Sequence, residues 1–570
     1  MTTKQPAHPT HSAQHHASGF SHRRRTIALI VVALAFVMDL LDSTIVNIAI
    51  PSIQSNLGAS YATIQWLVAG YSLAFATLLI TGGRMGDVFG YKKLFMAGVG
   101  GFTLASLLSG AAWNPEVLIG ARLLQGAMAA LMVPQVMSLM QVMYKPHERN
   151  SVNGLFGALG GLSAALGPIV GGLLIKANLF GLDWRPIFLI NVPIGIFGLL
   201  AALKYLPNGK SAHPLKLDWW GTVIVVVALF LLVFPLIEGR DLGWPHWTFA
   251  MIAGAVPILL FFAWQQRRKM ARDGSPLVVP ALFRFKSFSI GLLTNVVFEG
   301  AMLGFFLTIT LVMQIGLGFS VIRAALTGIP TAVGIALSIG LFGQKLIPKL
   351  GRYASTLGAV IMIAGLSYVA WLIHHYGLAV HPWQFAPGFF VVGTGMGLVM
   401  MPIFAVVLND VDPSHAGSAS GILNAVQQVG GAVGIAVIGV IFFGQLSHHA
   451  PQSFDSVTPR VRAELSAAHV PADAQDEILK NAKACYVDRS SQKDSAALPE
   501  SCKKLEGASE PGAKAVGQVV QNAITQANAA NFDHAFRWGV TYEIILSGIV
   551  LLMSFLLPRH IRPQHFEDAL

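Results

Sequence analysis

A chain of 570 residues in which 54% are hydrophobic and 11% charged, with a mean hydropathy of +0.61, is not an ordinary soluble protein, where roughly a quarter of residues are charged. Its net charge of +11 requires no nucleic acid, because lysine and arginine collect on one side of a series of apolar runs, where they set topology and attract anionic lipid. The composition is that of a polytopic membrane protein.

Residues 1–25 read as a basic tail. His8, His11, His15 and His16 precede a cluster of His22, Arg23, Arg24 and Arg25; histidines in such a tail have no fixed geometry, and no metal site is expected. The first apolar run, Ile27 to Ile50, is long enough to cross a bilayer, since roughly 20 residues at ~1.5 Å rise span the hydrocarbon core. It exceeds the apolar core of a signal peptide and is read as an uncleaved helix. Asp39 and Asp42 lie at its centre, on one helix face. An acid at that depth costs several kcal/mol unless it faces protein, water or a partner. A structural pair inside a bundle is one reading; transport is the stronger one, because packing rarely needs two acids there.

Thirteen further runs begin near Ile64, Leu94, Val117, Val152, Ile187, Trp219, Trp247, Phe288, Ile322, Ala354, Phe385, Ala416 and Trp538, for an all-α protein of 14 transmembrane helices. The two termini and the connections after even-numbered spans hold 23 of the 38 lysines and arginines, including Lys345 and Lys349. The short connections after odd-numbered spans hold four: Lys176, Arg185, Arg240 and Arg323. This bias predicts cytoplasmic termini; the expected location is the cytoplasmic (inner) membrane of a bacterium.

A repeat offset by 260 residues relates Asp39 to Glu299, and Gly83 to Gly343. It divides the chain into a tail (1–25), an N-terminal six-helix bundle (26–206), a linker (207–218), an inserted helix pair (219–264), a second linker (265–287), the first five helices of a C-terminal bundle (288–446), an external loop (447–536), the last span (537–558) and a tail (559–570). Parallel repeats of this kind place a binding site between the two bundles, near the midplane. The inserted pair should pack at their edge.

The predicted external loop carries nine basic and eleven acidic residues and both cysteines, Cys485 and Cys502. Its predicted location favours a disulfide between them, two free thiols being the alternative. Low complexity around Ser490–Pro511 suggests a linker. Apolar residues at helical spacing from Val516 to Ala527 suggest an amphipathic helix lying on the outer surface or capping the bundle.

Five segments occur in order: Leu41–Pro51, Gly82–Lys93, Arg122–Ala130, Gly160–Gly172 and Trp184–Gly195. Together they resemble the signatures of the major facilitator superfamily, in its fourteen-helix drug:proton antiporter branch, over roughly Arg25 to Leu557. The resemblance implies a conformational gate at Gly83, Arg84, Asp87, Gly90, Lys92 and Lys93. It also implies an antiporter motif at Gly167, Pro168, Gly171 and Gly172 in the fifth span, and a part for Arg122 in proton coupling. Two positions that are usually basic are here Val88 and Tyr91, which shifts weight in the gate to Asp87. Pro186 stands where an aromatic residue is usual and leaves the start of the sixth span open.

Apart from helix ends, the charges inside the spans are Asp39, Asp42, Arg122 and Glu299, with Glu543 a borderline case one turn into the last span. Arg122 requires a buried partner, and Asp42 lies at comparable depth. The expected arrangement has Asp42 as main proton carrier beside Arg122, with Asp39 and Glu299 facing each other across the cavity. Phe298, Met302, Asn424, Gln427 and Gln428 would line the cavity for substrate, the polar three having interhelical glue as an equal alternative. Phe305, Phe306 and Met313 could extend an adaptable apolar wall.

The expected function is therefore proton-coupled export by alternating access of a lipophilic, cationic small molecule. Export of a lipid or amphiphilic metabolite and proton-coupled uptake are the alternatives. Partners are the substrate, protons and membrane lipids, with a periplasmic adaptor protein an open alternative; no cofactor and no nucleic acid are expected. No G-x-x-x-x-G-K-[ST] phosphate loop is present, which favours a proton gradient as the energy source. A membrane-embedded lipid-modifying enzyme would need a site such as His374, His375 and His381, whose spacing matches no metal motif. A sensor would lack a cytoplasmic output domain.

Overall fold

The computed structural model describes residues 22–144, 146–211, 215–342, 350–408, 411, 416–491, 500–503 and 511–558. The four tail histidines, Gly343, Lys345, Lys349 and most of the low-complexity stretch lie outside these. No strand occurs among the described residues, and thirteen helices are long and apolar enough to cross a membrane; in the remaining fifth span the apolar helical stretch is Leu166–Ala177.

The N-terminal half comprises α1 (His22–Leu57), α2 (Tyr61–Phe89), α3 (Tyr91–Gly110), α4 (Pro115–Met143), α5 (Pro146–Ala177), and a sixth span split into α6 (Pro186–Leu189) and α7 (Asn191–Tyr205). Their ends follow from local chemistry. The Ser60 hydroxyl accepts from Thr63 N at 3.1 Å to start α2, and Asn114 caps α4 through Val117 N at 2.8 Å ahead of Pro115. Gly90, at φ +103°, turns α2 into α3, a conformation that a side chain would strain. Pro186 answers the open question about the sixth span: it occupies the first turn of α6, where its missing N–H costs nothing.

The inserted pair is α8 (Trp219–Leu242) and α9 (His246–Asp273). The C-terminal half follows as α10 (Lys286–Leu311), α11 (Val321–Thr327), α12 (Ile329–Leu337), α13 (Arg352–Tyr376), α14 (Phe385–Leu408), α15 (Ala416–Ala467), α16 (Ala472–Ser491), α17 (Glu500–Lys503) and α18 (Pro511–Ser554). Below, the face bearing His22 and Leu557 is called the basic face and its opposite the far face.

The halves meet through α2 against α15 and through α5 against α11 and α12. Near the far face, Gln314 donates to the Ile48 carbonyl at 3.1 Å, the Tyr61 and Phe443 rings stack at 4.1 Å, and Gly172 lies against Ala325 and Ile322. Outside this seam, α8 fills the groove between α2 and α15. Thr81 and Thr222 share a hydrogen bond at 2.7 Å, Trp66 Nε1 donates to Glu238 at 2.8 Å, and Arg240 donates to Ser447. Helix α9 packs on α8 and the turn at 280–284 and is otherwise largely exposed, as a lipid-facing helix would be.

The stretch after residue 446 departs from the expected loop. Helix α15 does not end at the membrane but continues to Ala467, and the last span begins as early as Pro511. The amphipathic face at Val516–Ala527 is therefore the outer end of α18 and does not lie along the bilayer. Val520, Ala523 and Ala527 pack with Phe454, Val461, Leu465, Leu479 and Tyr486 in a small separate core. With α15 and α16 beside it, this face is covered by protein, which removes its apolar surface from water. A disulfide joins Cys485 of α16 to Cys502 of α17, with Cα atoms 4.7 Å apart.

Candidate functional site

A polar knot lies inside the N-terminal half. Asp42 of α1 forms a salt bridge with Arg122 of α4. Its other oxygen accepts from Gln125 Nε2 and from Asn191 Nδ2, each at 2.8 Å. Gln125 also donates to Ser106 Oγ of α3 at 2.9 Å and accepts from Arg122 Nη1 at 2.7 Å, while Arg122 Nε donates to the Leu67 carbonyl at 3.1 Å. The Arg122 guanidinium lies 4.4 Å from the Tyr71 ring centre. Asp42, Ser106, Arg122, Gln125 and Asn191 are all at most 2% exposed. A buried guanidinium is tolerable only with such a full set of acceptors, so five helices are tied to one carboxylate.

Asp39, one turn earlier on α1, is also buried, and among the described residues it accepts a hydrogen bond from the hydroxyl of Tyr71. Glu299 of α10 accepts from Gln427 Nε2 of α15 at 2.7 Å. The repeat-related acids thus have different partners, each on a helix of its own half. Asn424 is exposed and donates to Ser420 of its own helix at 2.9 Å; Gln428 is half-buried. Met302 and Phe306 are half-buried too, whereas Phe298, Phe305 and Met313 are packed into the hydrophobic core. In this conformation Phe298 is a core residue and not part of a cavity wall. It precedes Glu299 by one position, which turns it about 100° around the helix.

The residues expected to form a gate lie at the end of α2 and the start of α3. Arg84 is 6% exposed; its guanidinium donates to the carbonyls of Ser275 at 3.0 Å, Lys216 at 3.3 Å and Leu277 at 3.4 Å, and to that of Pro276. The two linkers flanking the inserted pair thereby converge on the end of α2. Asp87 accepts from Tyr91 Oη at 3.0 Å, so Tyr91, at a usually basic position, supplies a neutral donor to the acid. Lys92 donates to the Leu203 carbonyl at 2.8 Å, and Lys93 is exposed. A Cβ on Gly83 would fall 3.5 Å from Pro134, and Gln135 Nε2 donates to the Gly82 carbonyl at 2.9 Å.

In the fifth span, the glycines permit close approach. A Cβ on Gly167 would fall 2.0 Å from Thr44 Oγ1, and one on Gly171 would fall 2.7 Å from Ile45 and Ile48. Gly172 faces the other half. Pro168, half-buried, lies between these contacts within one continuous helix.

Sequence reasoning overlooked Tyr71, Ser106 and Gln125, although Gln125 stands three residues after Arg122 and hence on its face. Asn191 falls within the Trp184–Gly195 segment, which does not single it out. The histidines at 374, 375 and 381 do not form a site: His374 pairs with Asp533 at 3.3 Å, His375 stacks on Trp371, and His381 caps the turn at Pro382–Gln384.

Residues 32–435 match the family model described as Major Facilitator Superfamily. The chain is 40% identical to the probable actinorhodin transporter of Streptomyces coelicolor, covering 94% of this chain and 92% of that protein. It is 32% identical to the tetracenomycin C resistance and export protein of Streptomyces glaucescens, covering 82% and 85%. In fold it is similar to a bacterial homolog of the human lysosomal transporter Spinster, with a TM-score of 0.54 at 15% identity, covering 94% and 98%.

Proposed function

From the premise that this chain belongs to the major facilitator superfamily, we propose that it exports lipophilic, drug-like small molecules by alternating access, in exchange for protons. Its relatives are by name antibiotic transporters and resistance proteins, which supports export. The observation that carries proton coupling is the Asp42–Arg122 knot with Asp39 one turn away. A buried ion pair set between helices of one half changes its interactions when a neighbouring acid gains or loses a proton.

The geometry supports a division of labour between the two acids. Asp42 has its acceptor sites filled by three side chains and serves as the counter-charge that holds Arg122. Asp39, with one hydroxyl donor, is freer to exchange a proton. Glu299 supplies negative charge in the other half, where a substrate cation and a proton compete for it. The basic face is assigned to the cytoplasm, because 23 of the 38 lysines and arginines fall in the termini and the connections after even-numbered spans, and the membrane to the inner membrane of a bacterium.

Two experiments test this reading. Cells with and without the chain are challenged with cationic, neutral and anionic compounds, and resistance is expected for lipophilic compounds, most strongly for cationic ones. The protein is then purified and reconstituted, and an imposed pH gradient is expected to build a substrate gradient. Wild-type rates from an Asp42→Asn protein in that assay would remove the proton role from this site.

A further inference from the structure

Glu543 of α18 is used by none of the foregoing. It is 1% exposed, and neither carboxyl oxygen has a hydrogen-bond partner among the described residues. It points into a niche where α10, α15 and α18 meet. A Cβ on Gly304 of α10 would fall 2.5 Å from Glu543 Oε1 and 3.5 Å from Ile438 of α15, so the missing side chain at Gly304 makes the room that the carboxyl occupies. Nearby hydroxyls are committed to their own helices: Thr308 donates to the Gly304 and Phe305 carbonyls, both at 3.1 Å, and Ser547 to the Glu543 carbonyl at 2.7 Å.

We propose that Glu543 is a proton-binding site of the C-terminal half, a carboxylic acid carrying one exchangeable proton in the niche left by Gly304. Its surroundings select the ligand. A divalent cation takes six or more oxygens and a buried charge needs a partner, and this niche offers neither, whereas a proton needs only the carboxyl itself. Glu299 lies five residues from Gly304 on α10, about 7.5 Å nearer the basic face, on the same helix and in the same half. Other titratable groups on the packed elements are Tyr542 beside it, Arg537 and Asp533 of α18 with His374 of α13, and, toward the far end of α15, His449 against His534. None is within hydrogen-bond reach of the carboxyl, so while the three helices are closed the proton has no acceptor. Parting α10 from α18 admits water, to which the proton passes as hydronium, leaving the carboxylate hydrated; reclosure requires a proton to return. The site therefore couples protonation to the packing of the last span.

This inference relies on the transport reading for its role, but its test does not need a substrate. The full chain, purified and placed in lipid vesicles, is examined by infrared difference spectroscopy between acidic and alkaline buffer, in water and in heavy water. Wild type is expected to show a protonated-carboxyl band that titrates, shifts on deuteration and is missing from Glu543→Gln, while Glu299→Gln retains it. Gly304→Ala, which places a methyl against the carboxyl oxygen, is expected to shift the same band without removing it, and it serves should Glu543→Gln fail to fold. An unchanged spectrum in both Glu543→Gln and Gly304→Ala, or a band that neither titrates nor exchanges, would overturn the proposal. Loss of drug export with these bands intact would instead count against the transport reading alone.

Discussion

Asp42 of the N-terminal half and the acids of the C-terminal half are held in opposite ways. In the N-terminal half, Asp42 is surrounded by Arg122, Gln125 and Asn191 and every strong contact is made. In the C-terminal half, Glu299 has one amide donor and Glu543 none. A carboxylate whose acceptor sites are filled by neighbouring side chains holds those neighbours in place, and its removal breaks a structure. A sparsely partnered one holds little else in place, and under the proposed function its removal should break a coupling instead. Burial alone does not separate these two kinds of acid; the number of donors does.

The contrast is broken most directly at Arg122. Arg122→Ala leaves the Asp42 carboxylate buried without its counter-charge, a loss of roughly 3–5 kcal/mol, and both thermal stability in detergent and pH-driven transport should collapse. Replacing both members, as Asp42→Asn with Arg122→Gln, should recover much of the stability but none of the coupling. Recovery of transport in the double variant would show that the pair is structural only.

Glu299→Gln keeps a group that can still meet Gln427, so the fold should be preserved. Export of cationic compounds should fall relative to neutral ones by about tenfold, or 1.4 kcal/mol, read as the ratio of initial rates in vesicles. Equal losses for both classes would take the negative charge out of substrate selection.

Tyr71→Phe removes the hydroxyl held by Asp39 and nothing else of the ring that lies beside Arg122. The loss is about 1 kcal/mol, and transport should slow by about fivefold with a displaced pH–rate profile. A profile superimposable on wild type would move the exchangeable proton away from Asp39.

The smallest effect on transport is expected from Cys485→Ser with Cys502→Ser. The bond closes a separation of 17 residues, and its loss should destabilise the far-face unit by about 3 kcal/mol while leaving export within twofold. Proteolysis of intact cells reads the first and drug resistance the second.

Much of this was legible before any coordinates. Apolar run length gave the spans, and the cost of a lone arginine in a membrane pointed from Arg122 to Asp42. The rest was hidden for physical reasons. Ser106, Gln125 and Tyr71 are neutral, so nothing about their burial is anomalous until their partners are known. The differing surroundings of Asp39 and Glu299 depend on which helix crosses each one, information absent from a repeat offset. The expected break after residue 446 failed because polarity marks where the bilayer ends, and a helix can continue in water if it finds a second core, as α15 does with Phe454 and Leu465.

That continuity has a mechanical side. From residue 447 to Ala467, α15 projects about 30 Å beyond its membrane portion, tied by the disulfide-bearing α16 and by α18 into one stalk. The part of α15 inside the bundle packs against α2 and α10, so tilting the half also swings the stalk. A rotation of about 10° displaces its tip by roughly 5 Å. Under the proposed alternating access the stalk would act as a lever arm: a fluorophore at its tip is expected to report the cycle, and a rigid binder bridging it to the opposite half to act as a brake.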